Sequence, residues 1–227
     1  MKPTLKSIGA ASFIVASLGL GTITAPAAGL LSDSGFESGT PVPSGIGGWG
    51  IFNGAAFSQV VAHNGLWSMA DFTPSGNVPG SFQFLAATPG SQWDLTGFGL
   101  TTGLPPQSAG PVFGLIQLTF FSGPNGTGTD LGTVETSPGN AKGSGQITAA
   151  SPINTWIPLD TGIATAPAGA QSIGAYSIFV NFTSLTTAPL GAYFDDLTLT
   201  QVPEPSSLAI LGLGLVVAGC GLRRQRA

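Results

Sequence analysis

The residues able to do chemistry in this 227-residue chain are few enough to weigh one by one. Between Ala28 and Pro203 stand one histidine (His63), one lysine (Lys142), no arginine, no cysteine and nine carboxylates: Asp33, Glu37, Asp71, Asp94, Asp130, Glu135, Asp160, Asp195 and Asp196. The adjacent pair Asp195 and Asp196 lies in the run Tyr193-Phe194-Asp195-Asp196-Leu197-Thr198-Leu199. Alternation along a strand sends successive side chains to opposite faces, which puts Asp195 on the face of Leu197 and Leu199. A carboxylate turned toward a core is costly unless something compensates it. With Lys142 as the one basic side chain in this span, a bound cation is the simplest partner. Two other readings stay open. Asp195 can cap backbone amides while Asp196 meets solvent, or a one-residue change of parity makes Asp196 the ligand.

Catalysis finds little support. Glycoside hydrolysis by acid and base needs two carboxylates flanking one bond, and neighbours on one strand point apart. His63 sits in His63-Asn64-Gly65, which reads as a turn, and no serine elbow accompanies it. Zinc-ligand spacings and a phosphate loop are absent. We read the chain as non-catalytic. Trp49, Trp67, Trp93 and Trp156 could stack on sugar rings, but all fall in or beside strand patterns, where core packing is the commoner use. Phe52, Phe57 and Phe121 remain open as exposed aromatics.

These side chains need a scaffold, and the patterning calls for strands separated by turn residues, without an amphipathic helix of useful length. Strands are expected at 49–52, 57–62, 67–72, 81–86, 93–100, 115–121, 177–182 and 193–199. Phe82 and Phe84 share one face opposite Ser81 and Gln83; Ile116, Leu118 and Phe120 share another opposite Gln117 and Thr119; Ile178, Val180 and Phe182 align. In 93–100, Trp93 and Leu95 are out of phase with Phe98 and Leu100, so a bulge near Gly97 is expected to restore one inward face. Residues 122–128, Ser-Gly-Pro-Asn-Gly-Thr-Gly, read as a hairpin tip. The class is all-β: a two-sheet β-sandwich of jelly-roll topology.

Both ends read as addresses. Lys2 and Lys6 precede an apolar run from Ile8 to Ile23, followed by Ala25-Pro26-Ala27, the layout of a signal peptide over 1–27 cut by signal peptidase. At the other end, Pro203, Glu204 and Pro205 lead into an apolar stretch from Leu208 to Leu222, and Arg223, Arg224 and Arg226 follow as a membrane stop. Fifteen helical residues span about 22 Å, short of the roughly 30 Å hydrocarbon core, and four glycines loosen the helix further. This tail, 202–227, resembles the PEP-CTERM sorting signal of exported proteins in Gram-negative bacteria that make exopolysaccharide. The resemblance implies an exosortase-like processing enzyme, transient insertion in the inner membrane, and a final place at the cell surface or in the extracellular matrix. Between the tags lies a β-sandwich domain, 28–201. One lysine against nine carboxylates gives the span from Ala28 to Pro203 a formal charge of −8, which disfavours nucleic acid and anionic lipid.

A second set of landmarks runs through that domain in order: Leu31-Ser32-Asp33-Ser34-Gly35-Phe36-Glu37, Gly48-Trp49, His63-Asn64-Gly65, Pro89-Gly90, Trp156, Ala166-Pro167-Ala168-Gly169-Ala170, and the run from Tyr193 to Leu199. Together they resemble the galactose-binding-like jelly rolls, many of which are carbohydrate-binding modules. That resemblance implies polysaccharide as a partner. It also implies a structural calcium between Glu37 and Asp195, its oxygen shell completed by carbonyls near Gly35 and Asn64. The alternative is a structural protein of the exopolysaccharide or biofilm matrix with no specific sugar site.

Overall fold

The computed structural model describes residues 29–105, 110–136, 145–183 and 189–202. The expected signal peptide, the sorting residues Pro203, Glu204 and Pro205, the apolar tail with Arg223, Arg224 and Arg226, and Lys142 lie outside the described residues. β-Branched and aromatic runs broken by glycine turns make eleven strands: β1 (Gly50–Phe52), β2 (Ala56–Ser58), β3 (Ser68–Thr73), β4 (Gly80–Ala86), β5 (Gln92–Thr101), β6 (Val112–Phe121), β7 (Asp130–Glu135), β8 (Ile157–Asp160), β9 (Ala164–Thr165), β10 (Ser172–Asn181) and β11 (Leu190–Val202). Among the described residues no helix is long and apolar enough to cross a membrane.

The strands form two antiparallel sheets. One runs β1-β4-β10-β6-β7, here the front sheet; the other runs β2-β3-β11-β5-β8 with β9 paired to β5, the back sheet. The chain stays in one sheet only at β2 to β3, β6 to β7 and β8 to β9 and crosses to the other sheet at every other connection, and this interleaving is the jelly roll the sequence predicts. Ile116, Leu118 and Phe120 of β6, Ile173 and Phe179 of β10, and Leu95, Phe194 and Leu199 of the back sheet meet between the layers. Trp49 and Trp93 join that core, whereas Trp67 and Trp156 are half-buried.

Four expectations need correction. The strand expected over 57–62 ends at Ser58, and residues 59–67 connect β2 to β3. Strands β7, β8 and β9 went unmarked, because edge strands broken by Gly132 and Pro158 carry little alternation. In β10 the inward set is Ile173, Ala175, Ser177, Phe179 and Asn181, so Ile178 and Val180 face outward and Phe182 is exposed. The bulge is real but sits on the other strand. The pairing of β11 with β5 slips between Asp195 and Thr198, directly opposite Gly97, with Asp196 in the left-handed region at φ 50°. Leu197 and Leu199 therefore point inward while Tyr193 and Asp195 lie on the outer side of the sheet, opposite Leu100 and Phe98.

One layer of the interior is polar. Asp71 of β3, fully buried, accepts a hydrogen bond from Ser177 Oγ at 2.8 Å, and Ser177 Oγ lies 2.8 Å from Ser81 Oγ, so the contact joins both sheets. Asp71 Oδ1 and Thr73 Oγ1 are buried without a protein hydrogen-bond partner. Desolvation by burial, opposed by the Ser177 hydrogen bond, pushes the Asp71 carboxyl up to about 7.

Candidate functional site

Besides Phe120 and Phe179 in the core, the front sheet carries an aromatic cluster on its outer face. In β4 the inward positions are taken by Ser81 and Gln83, held by the Ser177 hydroxyl and by the backbone of Ser32. This inversion turns Phe82 and Phe84 to the outer face, where both are half-buried. Tyr176 stands opposite Phe82 in the register, and the two rings are 6.4 Å apart. Phe82 and Phe84 are 5.1 Å apart, Phe52 lies 6.2 Å from Phe82, and Phe121 meets Phe84 edge-on at 5.8 Å. Glycines allow these rings to lie down: a Cβ on Gly50 would run into the Phe82 ring, one on Gly80 into Phe52, and one on Gly174 into Tyr176 and Phe84. The result is a contiguous aromatic floor across β1, β4 and β10 that is corrugated rather than flat, with Phe84 nearly perpendicular to Tyr176 and Phe121.

Beside the floor, β6 and β7 continue the same face with polar groups. Gln117 Nε2 donates to Thr119 Oγ1 at 2.9 Å, Thr119 Oγ1 lies 3.0 Å from Thr133 Oγ1, and Thr133 Oγ1 donates to Asp130 Oδ2 at 3.4 Å. Glu135 is in register with Gln117, which is in register with Tyr176. Burial, with the negative charge of Asp130, pushes the Tyr176 phenol up to about 12, which keeps its hydroxyl a donor. Clustered rings next to a hydrogen-bonding row suit a ligand whose faces are apolar and whose edges are polar, the chemistry of a pyranose chain.

The back sheet is arranged differently. Residues 59–67, between β2 and β3, fold across its outer side and are tied there by carboxylates. Asp195 Oδ2 accepts the His63 amide at 2.6 Å and the Asn64 amide at 3.3 Å, and Asp195 Oδ1 accepts the Asp196 amide at 2.7 Å. Glu37 accepts the amides of Leu66 and Trp67 at 3.0 and 3.1 Å. Asp196 Oδ2 contacts His63 Nδ1 at 2.7 Å and accepts from Asn64 Nδ2. The His63 ring stacks on Phe98 at 3.8 Å and 17°, and Trp156 meets it edge-on. Burial pushes the Asp195 carboxyl up to about 6, partly offset by the His63 and Asp196 amides.

Glu37 and Asp195, the two expected calcium ligands, are thus brought to the same loop, next to Gly35. Their oxygens are directed at backbone amides, and the described residues contain no group of three or more His, Cys, Asp or Glu side chains arranged to hold a metal. This matches the amide-capping alternative for Asp195, except that Asp196 binds His63 and Asn64 as well as meeting solvent. The floor residues Phe82, Phe84 and Tyr176 escaped the sequence reading, which weighed tryptophans first. A usable signal was present in β4: Ser81 and Gln83 beside Phe82 and Phe84 do not say which pair is inside, but the glycines at 50, 80 and 174 mark where rings can lie down.

Residues 201–226 match the PEP-CTERM protein-sorting motif. No curated protein sequence matches the chain. In fold, the chain is similar to the CBM22-1 xylan-binding domain from Paenibacillus barcinonensis Xyn10C, at TM-score 0.50 and 17% identity over 80% of this chain and 100% of that one. It is also similar to part of the enzymatically active domain of bacteriophage CBA120 tailspike protein 4, at TM-score 0.51 and 12% identity, covering 77% of this chain and 21% of that one. A third similarity is to the arabinose-bound MgGH51 α-L-arabinofuranosidase, at TM-score 0.51 and 14% identity, covering 77% of this chain and 26% of that one. The chain therefore spans the whole of the xylan-binding domain but only about a fifth and a quarter of the two larger proteins. At these identities the likenesses establish the two-sheet, carbohydrate-binding-module-like fold alone.

Proposed function

We propose that this is an exported, non-catalytic polysaccharide-binding protein, and that its binding face is the outer side of the front sheet. The observation that carries the reading is the aromatic floor of Phe52, Phe82, Phe84 and Tyr176 beside the hydrogen-bonded row Gln117, Thr119, Thr133 and Asp130. The sorting motif supports export and processing by an exosortase, and the layout of residues 1–27 supports earlier removal of a signal peptide by signal peptidase. The motif also supports a destination at the cell surface or in the exopolysaccharide matrix of a Gram-negative cell, reached through brief anchoring by the apolar tail. Binding of the purified protein to a panel of polysaccharides, including the producing cell's own exopolysaccharide, tests this. Saturable, selective binding is the expected result. Uniform absence of binding would favour a structural matrix protein with no sugar site.

A calcium ion at Glu37 and Asp195 is a separable proposal, resting on the family resemblance. It would share these oxygens with five backbone amides, so no part of the binding function is routed through it. Thermal unfolding in calcium and in chelator decides the point. Saturable stabilisation of about 1 to 2 kcal/mol at millimolar calcium would establish the ion, and an unchanged midpoint would leave the amides as the sole partners.

A further inference from the structure

We infer that the front face selects uncharged polysaccharide chains and rejects polyanionic ones; this rests on the reading of that face as a glycan site. Every charged side chain that the described structure places on it is acidic. Thr133 is opposite Thr119, and Glu135 is opposite Gln117, so the outward positions of β7 continue the polar row. Asp130, at the start of β7, is tied into that row by Thr133 and acts electrostatically on the Tyr176 phenol. No Lys or Arg occurs among the described residues, and Lys142 is the one basic residue of the sequence between Ala28 and Pro203.

Two physical consequences follow. Neighbouring strands are about 4.8 Å apart, so a chain lying over Tyr176 and Gln117 is roughly 5 to 10 Å from β7, within the Debye length of about 10 Å at 0.1 M salt. A uronate in that chain meets like charge that ordinary ionic strength does not remove. Hydrogen-bond polarity points the same way. The row runs from the Gln117 amide through two threonine hydroxyls to a carboxylate, and Asp130 and Glu135 only accept. Sugar hydroxyls can donate to them, whereas a carboxylate ligand also only accepts and leaves both sides unpaired.

The test compares one chain in two charge states. A soluble β-glucan, a β-galactan and a mannan are each offered to the purified protein before and after oxidation of their C6 hydroxyls to carboxylates, at low and high salt. The expected result is that a glycan bound in its neutral form loses at least about tenfold in affinity on oxidation at low salt. The loss should shrink at high salt, and Asp130→Asn with Glu135→Gln should narrow the ratio between the two forms. Oxidised chains that bind as tightly as the neutral ones, or more tightly, overturn the inference while leaving glycan binding intact; loss of such binding in Lys142→Ala would identify the cation responsible. Failure of every form to bind, with Phe82→Ala/Phe84→Ala indistinguishable from the parent protein, overturns the glycan-binding reading and this inference with it.

Discussion

Both sheets turn aromatic rings outward, but they cover them by different means. On the back sheet Phe98 lies under the His63 ring, Trp156 closes on that imidazole from its edge, and Tyr193 is 8% exposed. The difference does not come from the number of aromatics. It comes from carboxylates: Glu37, Asp195 and Asp196 collect the amides and side chains of residues 63–67 and hold that segment against the back sheet. On the front sheet the loops come up to the rings through glycines instead: Gly45 lies against Phe82 and its carbonyl accepts the Phe84 amide at 2.7 Å, Gly126 lies against Phe84, and the carboxylate of Asp130 binds its own strand. A fold of this kind decides which face is available by where it spends its buried acceptors.

The most damaging single change should be Asp195→Ala. It removes the acceptor of three backbone amides in one step, at a side chain with no exposed surface. Amides left unpaired cost about 1 to 3 kcal/mol each, partly relieved where water can enter, so a loss of about 4 kcal/mol in urea unfolding is expected. Asp195→Asn retains an acceptor oxygen and should cost less. A loss below about 1 kcal/mol for the alanine variant would mean that the carboxylate does not hold the segment. Next in size is the front face: Phe82→Ala with Phe84→Ala should weaken glycan binding by about a hundredfold, as removal of central aromatic anchors does. Stability should fall much less than affinity, because both rings are half-buried. Unchanged affinity would move the site elsewhere.

The sandwich and its jelly-roll order were legible because core strands such as β6 carry clean alternation in Ile116, Leu118 and Phe120. The carboxylate site was half legible. Its residues were identifiable from Asp195, Asp196 and Glu37, but the parity argument failed: a bulge at Asp196 turns Asp195 away from the face of Leu197 and Leu199. A bulge costs one residue of register, and sequence periodicity does not reveal which of two paired strands contains it. Gly97 marked the place on the wrong strand. In β10, small inward residues such as Ala175 and Ser177 let outward Ile178 and Val180 mimic a core stripe. The platform was hidden for the same reason, since binary patterning assumes that the apolar set is inside.

A third prediction concerns the interior layer that joins the two faces. The folded Asp71 carboxyl titrates near 7 against an ordinary value of 3.8, a raised value. The folded state therefore holds its proton more tightly than the unfolded chain. The associated stability is present below the unfolded value and is lost as pH rises through about 7, so the sandwich should be more stable near pH 5 than near pH 8, by about 2 kcal/mol. Asp195, raised to about 6, acts in the same direction. The groups facing Asp71 from the opposite sheet are the hydroxyls of Ser177 and, through it, Ser81, and none is charged. Asp71→Asn should flatten most of this slope and stabilise the protein at alkaline pH. A slope unchanged in that variant would assign the pH dependence to other groups.

The smallest effect should come from His63→Ala, and it is the sharpest test of the contrast between the faces. His63 and Asp196 are both about a quarter exposed, so their contact contributes no more than about 1 kcal/mol. Removing the imidazole uncovers the Phe98 ring and frees the edge contact of Trp156. If ring exposure alone made a sugar site, this variant would gain a second one. The expected outcome of calorimetric titration with a glycan that the parent protein binds is one site per chain in both proteins, because Phe52, Phe82, Phe84 and Tyr176 form one contiguous cluster on the front sheet, whereas removing the imidazole uncovers the single Phe98 ring. A second site in the variant would show that the clamped segment masks a binding face equal to the first, and that the two sheets differ in cover alone.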